Sequence, residues 1–341
     1  MSTDVTFRRI NFAQALLVLG VVLAAAANAA QQAPARPKIT GISHAAFYVS
    51  DLAKAREFYE GFLGYASPYS IPLSNPKGDL VWIKINDRQS VELFPGAQLK
   101  EGDDRLVHLA FEVEDAEAMR VYLRAKGVPG VPTATPTGRI GNRNFTIKDP
   151  NGNSVEFTQY MPDGWTVRER GNFLPDTRIS RRMTHVGVVV GAFEESMKFY
   201  GEILGLQEIW RGSAAGSKTL SWVNLRVPDG EDYVEFMLYE KYPTPVQLRT
   251  LHHICLEVPD IEAAAATLAQ RKYPEGNRAP TPMRAGMNGK RQINYFDGDG
   301  TRVEIMEPGT HDGKPRPPSA LPPPVAQPKP VDPTGGPGAA N

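Results

Sequence analysis

Cysteine is nearly absent from this sequence, since Cys255 is the only one in 341 residues and no intramolecular disulfide can form. Excess charge of one sign is also absent, because 38 Lys and Arg balance 38 Asp and Glu. The chain therefore has no net field that would attract nucleic acid or an anionic membrane. Hydrophobic residues make up 41% and charged residues 22%, which indicates a soluble globular protein with room for two domains.

Residues 1–30 have the layout of a secretory signal peptide. Arg8 and Arg9 form a basic start, an apolar run follows from Ala13 to Ala27, and Ala27-Asn28-Ala29 supplies a small-residue cleavage site. The run is too short to span a bilayer securely, so a retained membrane anchor is the less favoured alternative. We expect a periplasmic or secreted protein that is not inserted in a membrane after the signal is removed.

Two polar stretches divide the remaining chain. Residues 161–182 separate two halves of similar length and are predicted to form a linker. Residues 309–341 are dense in Pro and Gly with almost no large apolar side chains, so they are predicted to form a disordered tail. Cys255 lies in the apolar run HHICLEV, which favours a small core residue over a nucleophile.

Four copies of one pattern occupy the two halves. Each copy opens with a His in an apolar, strand-like run, which a turn joins to an amphipathic helix. Later in each copy comes a strand with a Val-Glu-apolar triplet. The openings are ISHAAFYV from Ile42, VHLAFEV from Val107, MTHVGVVV from Met183 and HHICLEV from His252, and the triplets begin at Val91, Val155, Val234 and Val303.

The order His, Glu, His, Glu recurs in both halves at similar spacing. A single His or Glu in a strand is commonly structural. Eight matched positions are better explained as ligands of a divalent ion, to which imidazoles and carboxylates on neighbouring strands can offer nitrogen and oxygen atoms. The first half has His44, Glu92, His108 and Glu156, separated by 48, 16 and 48 residues; the second has His185, Glu235, His253 and Glu304, separated by 50, 18 and 51.

These repeats resemble the modules of the vicinal oxygen chelate superfamily, which includes glyoxalase I, extradiol dioxygenases, epimerases and antibiotic-resistance proteins. HVGVVVGAFEESMKFYGEILGL from His185 is similar to one glyoxalase I signature except at Glu195, and HHICLEVPD is similar to a second. The resemblance implies an α+β fold in which four βαβββ modules form two tandem domains, residues 39–160 and 183–308. It also implies that all eight His and Glu positions bind a divalent metal ion, which can be Fe, Mn, Co, Ni or Zn.

The pairing of modules stays open at this point. Each half could close its own site. Alternatively, His44 and Glu92 could share an ion with His253 and Glu304, and the other four residues would then form the second site.

Three activities are compatible with such sites. The one we favour is a lyase or isomerase of glyoxalase type, in which the ion polarises a carbonyl and Glu156 or Glu304 moves a proton. The alternatives are an extradiol dioxygenase that uses Fe(II), and a resistance protein that sequesters a ligand without turnover. The dioxygenase pattern has a Tyr three residues before the hairpin Asp, where this chain has Thr146 and Asn294. On an alternating strand Tyr295 would point to the opposite face.

Four further residues are candidates for substrate contact. Arg143 and Arg291 each precede a hairpin Asp by six residues and could clamp an anionic group. Trp82 and Trp222, at equivalent positions in the middle strands of units one and three, could line an aromatic pocket. We expect a small-molecule substrate, no nucleic-acid partner, and a monomer or homodimer.

Overall fold

The computed structural model describes residues 34–75, 77–96, 99 and 103–327. The predicted signal peptide lies outside the described residues, as do residues 328–341 of the predicted tail. Within the described part, no helix has both the length and the apolarity that a bilayer crossing requires. The described residues from Arg36 onward form one compact unit.

A seven-stranded sheet is built from the first half. Its first module contains β1 (Ile39–Val49), α1 (Leu52–Arg56, continuing as a π-helical segment, Glu57–Phe62), β2 (Ala66–Ser74), β3 (Lys77–Lys84) and β4 (Ser90–Pro95). The second module contains β5 (Leu106–Val113), α2 (Ala116–Ala125), β6 (Arg143–Lys148) and β7 (Ser154–Gln159). This second module has a loop where the βαβββ pattern predicts one more strand, and the loop makes a single β-bridge between Thr137 and Arg143.

An eight-stranded sheet is built from the second half. A short helix, α3 (Trp165–Arg168), precedes it. Its first module contains β8 (Met183–Val190), α4 (Phe193–Ser196, continuing as a π-helical segment, Met197–Ile203), β9 (Gln207–Gly212), β10 (Trp222–Arg226) and β11 (Tyr233–Leu238). After α5 (Pro245–Leu251), its second module contains β12 (His253–Glu257), α6 (Ile261–Ala269), β13 (Arg284–Ala285), β14 (Lys290–Phe296) and β15 (Arg302–Thr310).

The two modules of each half join through their opening strands. The strand orders are β2-β3-β4-β1-β5-β7-β6 and β13-β14-β15-β12-β8-β11-β10-β9. In the first sheet β1 pairs antiparallel with β5, and in the second β8 pairs antiparallel with β12. The candidate ligands of each half therefore share one sheet, which decides between the two pairing arrangements in favour of a separate site in each half.

Because side chains alternate along a strand, one face of each sheet lies in the hydrophobic core and the other carries the candidate ligands. On β1, Ala45 and Phe47 enter the main hydrophobic core with Phe58 and Tyr59 of the α1 segment. His44 lies on the alternate face because neighbouring side chains on a strand point in opposite directions. Three helices, α1, α2 and α6, start at Asp caps: the side chains of Asp51, Asp115 and Asp260 accept hydrogen bonds from backbone N–H groups of the first turn. Helices α1, α2, α4 and α6 pack on the core face, whereas α5 lies on the face that carries the second-half candidates.

The hairpin that precedes the last strand of each half docks on the other half. Asn151 Oδ1 accepts hydrogen bonds from the backbone N–H groups of Gly191 and Ala192, at 2.8 and 2.9 Å, before α4. In the reciprocal contact, Asp299 Oδ2 accepts from the Ser50 N–H at 2.7 Å, before α1. These polar contacts join the two halves in an approximately symmetric way.

The segment predicted as a linker, residues 161–182, contacts the first half through α3. The Trp165 N–H at the start of α3 donates to the Ile140 carbonyl at 2.8 Å. Its ring centroid lies 4.3 Å from that of Tyr69 on β2. Because of these contacts, α3 covers one edge of the first sheet as well as connecting the halves.

The prediction of a disordered tail from residue 309 is wrong for residues 309–327. Strand β15 continues to Thr310, and the following segment lies along the second sheet. The Ser319 N–H donates to the Arg211 carbonyl at 3.0 Å on the edge strand β9, and the Leu220 N–H donates to the Pro322 carbonyl at 2.8 Å. A Pro-rich segment has no large apolar core of its own, but its extended backbone can pair with a sheet edge.

Candidate metal centres

Four side chains of the first half converge on one point. The Nε2 atoms of His44 and His108 are 2.9 Å apart. The Glu92 carboxylate lies 3.3 Å from His44 Nε2 and 3.4 Å from His108 Nε2, and the Glu156 carboxylate lies 3.7 Å from each. All four residues are buried. They are the four predicted from the sequence for this half.

The separations fit a common ion. Two ligand atoms that are each about 2.1 Å from one ion lie about 3.0 Å apart at a right angle and about 3.4 Å apart at the tetrahedral angle. The observed separations of 2.9 to 3.7 Å span these values. Two imidazoles and two carboxylates also suit a borderline divalent cation such as Mn, Fe, Co, Ni or Zn. The first half therefore has a site that could hold a divalent ion.

Neighbouring side chains fix both carboxylates. Trp82 lies opposite Glu92 in the β3–β4 ladder, and its indole N–H donates to Glu92 Oε1 at 2.5 Å. Glu156 Oε1 accepts hydrogen bonds from Asn144 Nδ2 at 3.0 Å and from the Thr158 hydroxyl. Such partners hold metal ligands in orientation. Asn144 and Thr158 were missed by sequence reasoning, although both lie two residues from a position on the site-facing side of β6 or β7.

His44 has a hydrogen-bond partner on the side of its ring away from the cluster. The Ser43 hydroxyl lies 2.8 Å from His44 Nδ1 and 2.7 Å from the Tyr160 hydroxyl, which donates to the Arg88 carbonyl at 2.5 Å. Burial lowers the pKa of His44, and the nearby carboxylates only partly oppose it. Burial acts in the same direction on His108, but the hydrogen bond with Glu92 and the charge of Glu156 outweigh it and its pKa is raised. His44 is thus the imidazole held more firmly in the neutral form that binds metals.

A cavity of about 590 Å³ opens above this cluster and is lined by all four of its residues. Such a volume suits a small molecule. One wall is an apolar group centred on Tyr69, Leu80 and Trp82. Arg139, at the exposed end of the loop before β6, also lines the cavity, and one of its Nη atoms donates to the Pro72 carbonyl at 2.8 Å.

The second half brings its candidates together less symmetrically. The Nε2 atoms of His185 and His253 lie 3.2 Å apart, and the Glu235 carboxylate lies 3.5 Å from His253 Nε2. Glu304 groups instead with His185 and with Cys255, a residue the sequence interpretation assigned to the core. The ligand atoms of His185, Cys255 and Glu304 all lie within 4.8 Å of one another.

In the second half, helix α5 covers the sheet face that carries the candidate ligands. Leu248 of α5 packs against Val189 and Met237, which lie on the strand faces that carry His185 and Glu235. A large side chain also lies beside one of the imidazoles. The Tyr233 ring lies 4.6 Å from the His185 ring, whereas His44 in the first half is opposite Ser90. A second cavity, of about 310 Å³, is lined by Trp222 and seven other residues, none of which is a candidate ligand.

Burial displaces the pKa values of His185, His253 and Glu304 from their usual ranges. Burial lowers the pKa of His185 to about 3 and also lowers that of His253, beside which the Arg302 guanidinium acts in the same direction. Burial, with the nearby Glu235 charge, raises the pKa of Glu304 to about 7. These directions follow from the enclosed, water-poor surroundings of the second cluster.

Three of the four predicted substrate residues lie away from the ligand clusters. Arg291 is held by Glu262 and Glu307, at 2.5 and 2.7 Å. Arg143 is exposed and lies three residues before Thr146, so strand alternation directs it to the opposite face. Trp222 is opposite Met237, and the residue opposite Glu235 is Asn224, so Trp222 is not the counterpart of Trp82. Tyr295 lies among core aromatics, as strand alternation predicted, with its ring 5.3 Å from that of Phe62.

Comparison with known proteins agrees with this architecture. The family model of the glyoxalase/bleomycin resistance protein/dioxygenase superfamily matches residues 41–157 and 182–305. The fold is similar to a mutant form of homoprotocatechuate 2,3-dioxygenase from Brevibacterium fuscum (TM-score 0.59, 18% identity, covering 81% of this chain and 73% of that one). It is also similar to the 2,3-dioxygenase LapB from Pseudomonas sp. KL28 (0.60, 19%, 82% and 97%) and to the Mn(II)-bound glyoxalase from Novosphingobium aromaticivorans (0.59, 16%, 80% and 83%). No curated protein sequence shows a significant match.

Proposed function

The chain belongs to the glyoxalase/bleomycin resistance protein/dioxygenase superfamily, and on that premise we propose that it is a metal-dependent lyase or isomerase whose first half acts on a small molecule with vicinal oxygens. One observation carries this proposal. Two imidazoles lie 2.9 Å apart, and each lies within 3.7 Å of both carboxylates, inside a cavity large enough for such a substrate.

A divalent ion in this cluster would polarise a substrate carbonyl and lower the pKa of the adjacent C–H. The two carboxylates are placed differently for the remaining work. Glu92 lies nearer to both imidazoles, at 3.3 and 3.4 Å, and so is the firmer ligand. Glu156 lies 3.7 Å from each, and its hydrogen-bond donors engage Oε1. Its Oε2 is therefore the oxygen that takes the substrate proton and returns it at the neighbouring carbon.

The cavity walls support a particular kind of substrate. The apolar group around Tyr69, Leu80 and Trp82 would bury a flat or hydrocarbon body. Arg139 would meet an anionic group at the exposed end of the same cavity. An aromatic hydroxy-carbonyl compound that carries a carboxylate has the vicinal oxygens, the flat body and the anionic group that this site would bind.

An extradiol dioxygenase is the second candidate. His44, His108 and Glu156 contain the two imidazoles and one carboxylate that such an enzyme uses for iron. Glu92 argues against it, because that carboxylate also contacts both imidazoles. Thr146, opposite Glu156, stands where the dioxygenase pattern has a Tyr.

Proton exchange tests the proposal directly. The protein is loaded with Mn²⁺, Co²⁺, Ni²⁺, Zn²⁺ or Fe²⁺ under argon and incubated in D₂O with aromatic α-hydroxyketones and α-hydroxyaldehydes. Deuterium uptake at the carbon beside the carbonyl, followed by proton NMR, is the expected result. Oxygen consumption with catechols and no anaerobic exchange would favour the dioxygenase. Tight binding without either reaction would leave a sequestering protein.

Export to the periplasm or the medium is also part of the proposal, and rests on the pattern of residues 1–30. The mature protein is expected to begin shortly after Ala29. N-terminal sequencing of the protein from cell fractions tests this, and an intact Met1 on cytoplasmic protein would contradict it.

A further inference from the structure

The only cysteine of the chain lies inside the second ligand cluster. Cys255 is two residues after His253 on β12, so both side chains are on the same face of the strand. Its Sγ atom lies 3.8 Å from Glu304 Oε1, and both groups are within 4.8 Å of a ring nitrogen of His185. All three residues are buried.

The position two residues after the opening His carries a possible ligand atom in only one of the four modules. Two residues after the opening His, the other three modules have Ala46, Ala110 and Gly187. A thiol there adds a fifth potential ligand to a cluster whose counterpart in the first half has four.

The surroundings of His253 make it a poor ligand. An Nη atom of Arg302 lies 2.6 Å from His253 Nδ1, and a guanidinium can only donate a hydrogen bond. If Nδ1 accepts from this guanidinium, the ring proton is on Nε2, the atom that faces the cluster, and Nε2 then cannot bind an ion. The Leu251 carbonyl, 2.8 Å from the same Nδ1, suits the opposite tautomer, but an N–H directed at a fixed positive charge is repelled.

The geometry has room for an ion. Sulfur about 2.3 Å and oxygen about 2.1 Å from a tetrahedral zinc ion lie about 3.6 Å apart, close to the observed 3.8 Å. The side-chain oxygens of Asn224 and Asn294, residues opposite Glu235 and Glu304, are buried without a hydrogen-bond partner among the described residues. An ion, or a water molecule bound to it, would satisfy these oxygens.

We propose that the second half holds a closed, thiolate-containing metal site in which His185, Cys255 and Glu304 bind a zinc-like ion. The thiol proton passes to solvent as the ion enters, and no electron is transferred. A thiolate ligand selects zinc or cobalt over manganese or magnesium. Because α5 covers this face, the site is structural, and it differs from the open cluster of the first half in both ligands and access.

Cobalt absorption provides the test. The full chain is titrated with Co²⁺, and thiolate-to-cobalt charge transfer is followed in the near ultraviolet. Since Cys255 is the only cysteine, any such band reports it alone. We expect two equivalents of Co²⁺ to bind, with a near-ultraviolet band that saturates at one equivalent.

Two variants assign the band. His108→Ala, in the first half, should bind one equivalent less and keep the band. Cys255→Ser, with circular dichroism as a check on folding, should lose the band. Wild-type protein that binds Co²⁺ without any near-ultraviolet sulfur band would overturn the proposal, and so would a band that survives Cys255→Ser. Neither result would affect the function proposed for the first half.

Discussion

His44 and His108 place their Nε2 atoms 2.9 Å apart although 64 residues separate them in the chain. The antiparallel pairing of β1 with β5 produces this contact, since His108 lies opposite Ala46 and His44 lies opposite Ala110. The two side chains are therefore diagonal neighbours on one face of the sheet. Parallel pairing of β1 with β4 and of β5 with β7 then adds Glu92 and Glu156.

Exchanging the two first-half carboxylates for amides separates their roles. Glu156→Gln should reduce deuterium exchange about 10²- to 10⁴-fold, the usual contribution of a general base, while Co²⁺ still binds in the first half. Glu92→Gln should weaken Co²⁺ binding in the first half. Its deuterium exchange should fall only because less metal is bound. Glu114→Gln, an exposed carboxylate paired with Lys38, is the matched control. Equal loss of metal in both cluster variants would contradict this division of roles.

Trp82 is predicted to act on the ion through Glu92. Trp82→Phe keeps an aromatic wall but removes the indole donor to Glu92 Oε1, and should weaken first-half metal affinity about 10- to 100-fold. Competition with a fluorescent chelator measures this affinity. Trp222→Phe removes an indole that lies in the other half, so its first-half affinity should match wild type. A Trp82→Phe protein of unchanged affinity would show that the hydrogen bond does not orient the ligand.

Much of the site could be predicted from the sequence, because the His and Glu spacing repeats and strand alternation assigns each residue a face. The pairing of halves could not be predicted, since it depends on whether β1 meets β5 or a strand of the second half. Trp222 was matched with Trp82 by its place in the middle strand. The match fails because 13 residues separate Trp222 from Glu235, against 10 between Trp82 and Glu92. The sequence predicts Cys255 to be a core residue, because an apolar run around a cysteine does not distinguish a metal ligand from a packed side chain.

Arg139 should strengthen the binding of anionic ligands and have no effect on uncharged ones. 4-Carboxybenzohydroxamate, a chelator with vicinal oxygens, is compared with its methyl ester on Mn²⁺-loaded protein by calorimetry. Arg139→Ala should weaken binding of the carboxylate about tenfold, the loss expected for one charge-assisted hydrogen bond near solvent, and leave the ester unchanged. Arg143→Ala, an equally exposed change on the opposite face, should alter neither. Equal effects on acid and ester would exclude recognition of the carboxylate.

Asp297 should make folding stability depend on pH. Burial and the Asp299 charge raise its pKa to about 7, well above its usual value of 3.8. Between about pH 4 and pH 7 the folded protein keeps a proton on Asp297 that the unfolded chain loses. The free energy of unfolding should therefore be highest below about pH 4 and should fall as the pH rises to about 7. Urea unfolding across this range should show a smaller fall for Asp297→Asn than for wild type. The exposed Asp176→Asn variant should follow wild type. Parallel curves for Asp297→Asn and wild type would show that the carboxyl is not protonated in the folded state.

Anomalous diffraction from crystals soaked in Mn²⁺ is the most direct measurement of the first-half site. The account predicts a strong manganese peak about 2.0 to 2.3 Å from ligand atoms of His44, Glu92, His108 and Glu156, at the floor of the 590 Å³ cavity. Crystals that contain bound manganese elsewhere and show no peak among these four side chains would contradict it.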